Sequence, residues 1–218
     1  MASTKKVGVI GIPGKWSTEV LADAVESRTG SRRVIDMDAV SLDLPQRRLV
    51  HEGEDLCEFD ALVVKKITRE YSASTLDRLE LLRVAEARGV RVFSGAENIL
   101  RLIDRLSCTV SLANAGIPMP ETVVTVDIRT ACEAIESYGE AVLKPLYSTK
   151  ARGMCLVSAG EGTKQVKKAV EKFQADNPVM YIQQKRDLSG RDFGMVFLGG
   201  EYLGSYARVT DSDSWNTT

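Results

Sequence analysis

Lys144 closes an apolar run, Ala141-Val-Leu, and opens a basic stretch of small residues, Pro145-Leu-Tyr-Ser148-Thr149-Lys150-Ala151-Arg152-Gly153-Met154. A lysine inside a strand is costly to desolvate unless a negative group meets it, and a phosphate would serve. A hydroxyl-rich loop beside it can fold over phosphates through backbone N–H groups. The residues alone leave a second reading open: an edge-strand lysine whose head stays in water beside a solvated basic turn. A second glycine-rich stretch, Gly8-Val-Ile-Gly11-Ile-Pro-Gly14, has the wrong spacing for a dinucleotide binder, and Gly14-Lys15-Trp16 is not a P-loop. It is expected to be a plain strand-to-helix turn, which argues against an NAD-dependent enzyme. The single histidine, His51, and the four scattered cysteines, Cys57, Cys108, Cys132 and Cys155, exclude a zinc site of the usual spacing. They also suit neither Ser-His-Asp nor Cys-His catalysis. The cysteines are expected to be free thiols of a reduced, cytoplasmic protein. Chemistry is thereby left to Lys, Arg, carboxylates and backbone amides.

The chain that must position these groups has 218 residues, enough for a sizeable core without staples. Hydrophobic residues make up 44% and charged residues 27%, as in ordinary globular proteins, which excludes a disordered or disulfide-dense chain. With 29 basic and 30 acidic residues the net charge is −1, so no global field attracts nucleic acid or an anionic membrane. No stretch approaches the ~18 apolar residues of a membrane span.

Strands are expected at 6–12, 33–37, 59–66 and 90–93, and helices at 18–27, capped by Ser17, and after Ser74, with Gly89 as the stop. Val20, Leu21, Ala24 and Val25 should form the buried face of the first helix. Residues 38–58 carry no clear period and are expected to be loop with at most one short strand. This alternation predicts a small parallel α/β domain. A helix over 96–115, stopped by Gly116, should link it to an α+β domain with antiparallel sheet. That domain has strands at 122–126, 141–145, 154–158 and 179–183, and helices at 131–137 and 163–174. A hairpin, 193–198 and 201–209, turns on Gly199-Gly200. The expected division is 1–116 and 117–218. The tail ends on Asp211-Ser-Asp-Ser-Trp-Asn-Thr-Thr218, with nothing to close a sheet, so the fold is expected to be incomplete at its C-terminus.

Several segments, in order and spacing over about residues 60–218, resemble the ATP-grasp superfamily and, within it, RimK-type ligases. They are Ser94-Gly-Ala-Glu-Asn-Ile-Leu through Asp104-Arg105, Ala113-Asn-Ala-Gly-Ile-Pro-Met-Pro-Glu-Thr122, Leu143-Lys-Pro-Leu, Tyr181-Ile-Gln-Gln184, Gly190-Arg-Asp192 and Ala207-Arg208-Val209. The resemblance implies a pre-ATP-grasp α/β domain followed by a partial ATP-grasp domain. It gives Lys144 and Arg105 contacts to the nucleotide phosphates. The phosphate loop falls on Ser148–Gly153, including Thr149 and Arg152, with two of the family's usual glycines replaced by Ser148 and Ala151. The adenine hinge falls on Gln184 and Lys185, where the family usually has Glu and an aromatic. Asp192 falls near the ribose, and Arg208 faces the transferred phosphate. Asn216-Thr217-Thr218 lies where the family often has Arg-Ser-Asn. The simpler roles are an exposed helix arginine at 105, a turn carboxylate at 192 and an ion pair from Arg208 to Asp211 or Asp213.

The implied activity is ATP-dependent ligation of a carboxylate, small-molecule or peptide, to the amine of an amino acid through an acyl phosphate. ATP is the implied cosubstrate and Mg²⁺ the implied metal. The family's metal ligands follow the hairpin on later strands, so none is assigned in this chain, and the chain as it stands is expected to be inactive or impaired. The alternative is a non-catalytic nucleotide-binding or interaction protein that keeps the fold. No nucleic-acid or membrane partner is expected. The apolar hairpin predicts an exposed sheet edge and self-association into a homo-oligomer.

Overall fold

The computed structural model describes residues 5–148 and 151–209; the expected site residues Thr149, Asn216 and Thr217, and the acidic partners Asp211 and Asp213, lie outside the described residues. The chain divides into two compact units, Met1–Cys108 and Thr109–Thr218.

In the first unit the elements run β1 (Val7–Ile10), α1 (Trp16–Thr29), β2 (Val34–Ile35), β3 (Ser41–Asp43), β4 (Arg48–His51), β5 (Glu54–Asp55), β6 (Ala61–Val64), α2 (Ala73–Ala87), β7 (Arg91–Phe93) and α3 (Ala96–Ile103). The helix α4 (Arg105–Asn114) spans the division between the units. The expected boundary at Gly116–Pro120 follows the end of the same helix. Strands β2-β1-β6-β7 form one parallel sheet in that order. Parallel strands covered on both faces read as continuous apolar runs, and Val9, Ile10 and Leu62 are fully buried.

Three details differ from expectation. Helix α1 begins at Trp16, not after Ser17, and its N-cap Lys15 makes no side-chain cap. Instead Glu19 Oε1 accepts from Gly14 N at 2.6 Å. The buried face of α1 carries Thr18 and Ala22, whereas Val20 is exposed. A Cβ at Gly11 would lie 2.6 Å from Thr18 Oγ1, so glycine is what lets the helix approach the β1 turn. Helix α2 is entered from Ser72 rather than Ser74: Thr75 Oγ1 accepts from Ser72 N at 3.0 Å. Ser74 lies in the first turn, where its Oγ accepts from Arg78 Nη1.

Residues 38–58, expected to be loop, hold the antiparallel sheet β3-β4-β5. Its strands are too short for a period to show. The turn between β4 and β5, Glu52-Gly53, has both residues at positive φ (50° and 83°), the primed hairpin geometry. Residues 96–115 form two helices rather than one. Asp104 is extended and its Oδ1 accepts from Leu106 N at 3.0 Å. A carboxylate that satisfies a backbone N–H in this way starts a new helix instead of continuing the old one.

In the second unit the elements are β8 (Thr122–Thr125), α5 (Ile128–Tyr138), β9 (Glu140–Lys144), β10 (Cys155–Ser158), α6 (Thr163–Asp176), β11 (Met180–Gln184), β12 (Arg191–Leu198) and β13 (Glu201–Val209). The antiparallel sheet has the order β10-β9-β11-β8. Asp127 caps α5, accepting from Thr130 N at 2.7 Å. One core joins Ile135 of α5, Val166, Val170 and Phe173 of α6, and Leu143, Met180 and Ile182 of the sheet. The β12–β13 hairpin is a sheet of its own, turning on Gly199-Gly200 as expected, with a bulge after Val196.

All four cysteines are free, and burial pushes the thiols of Cys57, Cys132 and Cys155 up, away from nucleophilic character. Among the described residues no helix is long and apolar enough to cross a membrane.

Candidate functional site

Lys144 is the last residue of β9, and Tyr181 of β11 stands directly opposite it. Gln183 stands opposite Val142 on β9 and Thr122 on β8. Side chains alternate between the faces of a strand, so Val142, Lys144, Tyr181, Gln183 and Thr122 share one face. Leu143, Met180 and Ile182 project from the other, into the core with α5 and α6. Lys144 therefore lies on the sheet face turned away from those helices.

A hydrogen-bonded chain runs along that face. Lys144 Nζ donates to Gln183 Oε1 at 2.6 Å. Gln183 Nε2 donates to Thr122 Oγ1 at 3.0 Å and to Tyr181 Oη at 3.3 Å. Tyr181 Oη in turn shares a hydrogen bond of 2.9 Å with Thr109 Oγ1. The amide orientation follows from chemistry: turned over, Gln183 would aim its NH₂ at an ammonium that has only donors. The lysine expected to need a negative partner thus has a neutral amide as one partner, placed 39 positions downstream.

The expected phosphate loop joins β9 to β10. Ala151 lies in the left-handed region (φ 54°), and Gly153 follows at φ 71°. A Cβ at Gly153 would come within 3.1 Å of Pro145 Cγ. Ala151 thus keeps a conformation that a glycine adopts without strain, at a cost of roughly 1 kcal/mol for a residue with a Cβ. Ser148 is half-buried and Arg152 is exposed. A cavity of about 380 Å³ adjoins the start of this loop, lined mainly by Pro145, Leu146, Tyr147, Pro178 and Val179.

At the expected adenine hinge, Gln184 N donates to Glu121 O at 2.8 Å and Lys185 N to Glu140 O at 2.9 Å, so both N–H groups serve the sheet. The Gln184 side chain projects from the helix-packed face, opposite to Lys144, and its buried Oε1 meets no donor among the described residues. Lys185 Nζ pairs with Glu140 Oε2 at 3.0 Å. Asp192 and Arg208 face each other across the hairpin. Arg208 Nε and Nη2 donate to the two Asp192 oxygens at 2.7 and 2.9 Å, a bidentate pair that raises the guanidinium pKa still further. Arg105, half-buried, opens α4 and belongs to the first unit.

The structure thus joins Lys144 to Gln183 and Asp192 to Arg208. Sequence reasoning missed Gln183, Thr122 and Tyr181. The alternation along Tyr181-Ile-Gln-Gln184 held a signal, since only one glutamine can share a face with Tyr181.

No protein-family model matches the chain. It is 28% identical, over 226 aligned positions, to a tetrahydromethanopterin:alpha-L-glutamate ligase of Methanosarcina acetivorans, covering 97% of this chain and 70% of that protein. Among solved structures it resembles a RimK domain ATP-grasp protein from Sphaerobacter thermophilus. The TM-score is 0.72 at 20% identity, over 97% of this chain and 75% of that one. It also resembles the ATP-grasp ligase PsnB, solved with a precursor variant, Mg and ADP. There the TM-score is 0.68 at 16% identity, over 96% and 78% of the two chains.

Proposed function

We propose that this chain, which has the ATP-grasp fold and resembles RimK-type ligases, is an ATP-dependent ligase that joins a carboxylate to an amine. The observation that carries the proposal is the anchored ammonium of Lys144, on the sheet face opposite α5 and α6 and next to a loop with two left-handed residues. A triphosphate laid there meets a fixed positive charge and backbone N–H groups, which is most of what phosphoryl transfer asks of a protein. Gln184 pairs with Ala141, three residues along β9 from Lys144, so the adenine hinge lies about 10 Å away at ~3.4 Å per residue. That span suits the distance between a nucleotide's base and its outer phosphates.

The reaction in this reading has two steps. The carboxylate oxygen attacks the γ-phosphorus and ADP leaves. The amine then attacks the acyl phosphate and inorganic phosphate leaves. Lys144 offsets charge on the moving phosphoryl group, and Arg208 does so if it exchanges Asp192 for phosphate. Glutamate is the amine to try first, because a relative is named a glutamate ligase. Arg105, Ser148, Arg152, Lys185 and Asp192 keep the nucleotide roles set out for them above as part of this proposal. Mg²⁺ belongs to the same reading, but among the described residues no three His, Cys, Asp or Glu side chains gather to hold a metal.

One observation favours a second reading, nucleotide binding without chemistry: Arg208 is bound at both carboxylate oxygens by Asp192. Two measurements separate the readings. ATP at about 100 times its Kd should add about 2.7 kcal/mol, a rise in Tm of roughly 5–10 °C for a chain of this size. Lys144→Ala should cut that rise sharply, weakening ATP while leaving binding that titration still measures. ADP release that needs both a carboxylate and an amine establishes the ligase. Stabilisation without such release establishes the second reading, and no stabilisation by ATP overturns both.

A further inference from the structure

We propose that Gln183 is a positioning residue that sets where the Lys144 ammonium meets phosphate, and that Thr122 and Tyr181 act through it. The proposal rests on the reading of Lys144 as a phosphate-binding lysine. A lysine head on a four-carbon stem samples many positions, and each must be given up when a phosphate binds. Here Gln183 Oε1 holds Nζ at 2.6 Å. With one N–H directed at the amide, tetrahedral geometry sets the directions of the other two. Gln183 is itself held, because Thr122 Oγ1 and Tyr181 Oη accept from its Nε2. Each of these residues sits on a strand of the sheet, at cross-strand positions set by the ladder, so the support is rigid.

The amide has a second consequence. It orients the ammonium without adding negative charge, whatever else meets Nζ. A carboxylate at the same position would also accept the hydrogen bond, but it would compete with phosphate for the same cation. The structure therefore explains why a glutamine, rather than the more obvious glutamate, stands beside this lysine.

The test is ATP affinity by titration calorimetry for Gln183→Leu, Gln183→Glu and Thr122→Val, each made alone and in a Lys144→Ala background. Gln183→Leu should weaken ATP roughly tenfold, the scale of one hydrogen bond to a charged group. Gln183→Glu should weaken it at least as much although it keeps an acceptor. Thr122→Val should have a smaller effect of the same sign. All three effects should vanish once Lys144 is alanine, which a merely structural role would not produce. If Gln183→Leu fails to fold, Thr122→Val and Tyr181→Phe, which each delete one hydroxyl, carry the test.

A second readout needs no nucleotide. In the free protein the Lys144 ammonium should give a slowly exchanging Nζ signal by NMR that Gln183→Leu abolishes. Wild-type ATP affinity in Gln183→Leu, an equal loss in the Lys144→Ala background, or an unchanged Nζ signal overturns the proposal. Failure of the wild-type protein to bind ATP overturns the ligase reading instead, and the Nζ signal then decides separately whether Gln183 holds Lys144.

Discussion

The β3-β4-β5 sheet of the first unit and the β12–β13 hairpin of the second are built alike. Both are antiparallel, and both turn on two successive residues of positive φ, Glu52-Gly53 and Gly199-Gly200. Their burial is opposite. Leu49 and His51 of β4 and Asp55 of β5 are buried, and Leu49 belongs to the core of its unit. Phe193, Phe197, Leu198, Tyr202 and Leu203 of the hairpin are each more than half exposed. The apolar hairpin is thus the solvated one, whereas the more polar β4 and β5 carry the buried residues, with β3 left at the surface. Apolar content does not decide burial; an element must also have something to pack against.

The two sheets also use their carboxylates differently. Asp55 accepts from Cys57 N, Arg48 Nε and Leu49 N at 3.0–3.2 Å. Burial favours its neutral form, but these donors outweigh burial and hold the carboxyl below its ordinary value. Asp192 instead meets Arg208 across an open hairpin, in a pair that water and salt screen.

The contrast can be broken most sharply by truncation. Leu49→Ala should cost about 2–5 kcal/mol, as for other buried leucines, whereas Phe197→Ala should stay within about 0.5–1 kcal/mol. Urea denaturation of both variants checks this, and equal losses would mean that the hairpin is packed in solution. Next in size, Asp55→Asn should cost about 1–3 kcal/mol at neutral pH, because one acceptor becomes a donor among buried donors. The wild-type contribution should be present above the unfolded carboxyl pKa of about 3.9. It should fall away as pH drops through the lowered folded value, since there the folded state must take up a proton it had excluded. Asp55→Asn should therefore flatten the acid limb of a stability–pH curve.

A third effect concerns association rather than folding. Phe193→Lys with Leu203→Lys should reduce dye binding and self-association, measured by light scattering, because charge on an open strand opposes pairing with another chain. Arg208→Ala should change stability by under about 1 kcal/mol, and less in high salt. Smallest of all, Glu52→Asn should gain roughly 0.5 kcal/mol, since asparagine tolerates positive φ better than glutamate. The all-glycine turn of the hairpin offers no such relief.

Much of this was legible before any coordinates. The run Val7–Ile10 and the alternation of strands with helices pointed to the parallel sheet, and Gly199-Gly200 to the hairpin. Those signals depend on residues adjacent in the chain. The β3-β4-β5 sheet escaped notice because strands of two to four residues carry too few alternations to show a period. The break at Asp104 escaped because 96–115 has helical spacing throughout, and only the hydrogen bond to Leu106 N shows that the carboxylate starts a second helix.

Residue types and local order were enough to determine the two-part α/β and α+β organisation, the resemblance to ATP-grasp ligases and the choice of Lys144 as the residue most in need of a partner. Tertiary structure alone decided which partner. Gln183 and Gln184 are neighbours of the same type, and nothing in their composition separates them. The ladder does: pairing with Val142 sends Gln183 to the face of Lys144, and pairing with Ala141 sends Gln184 to the helices. The same holds for Asp192 and Arg208, which the hairpin register places opposite each other. A shift of one residue would reverse every such assignment, because side chains alternate with a period of two, and register is set by contacts between segments far apart in the chain.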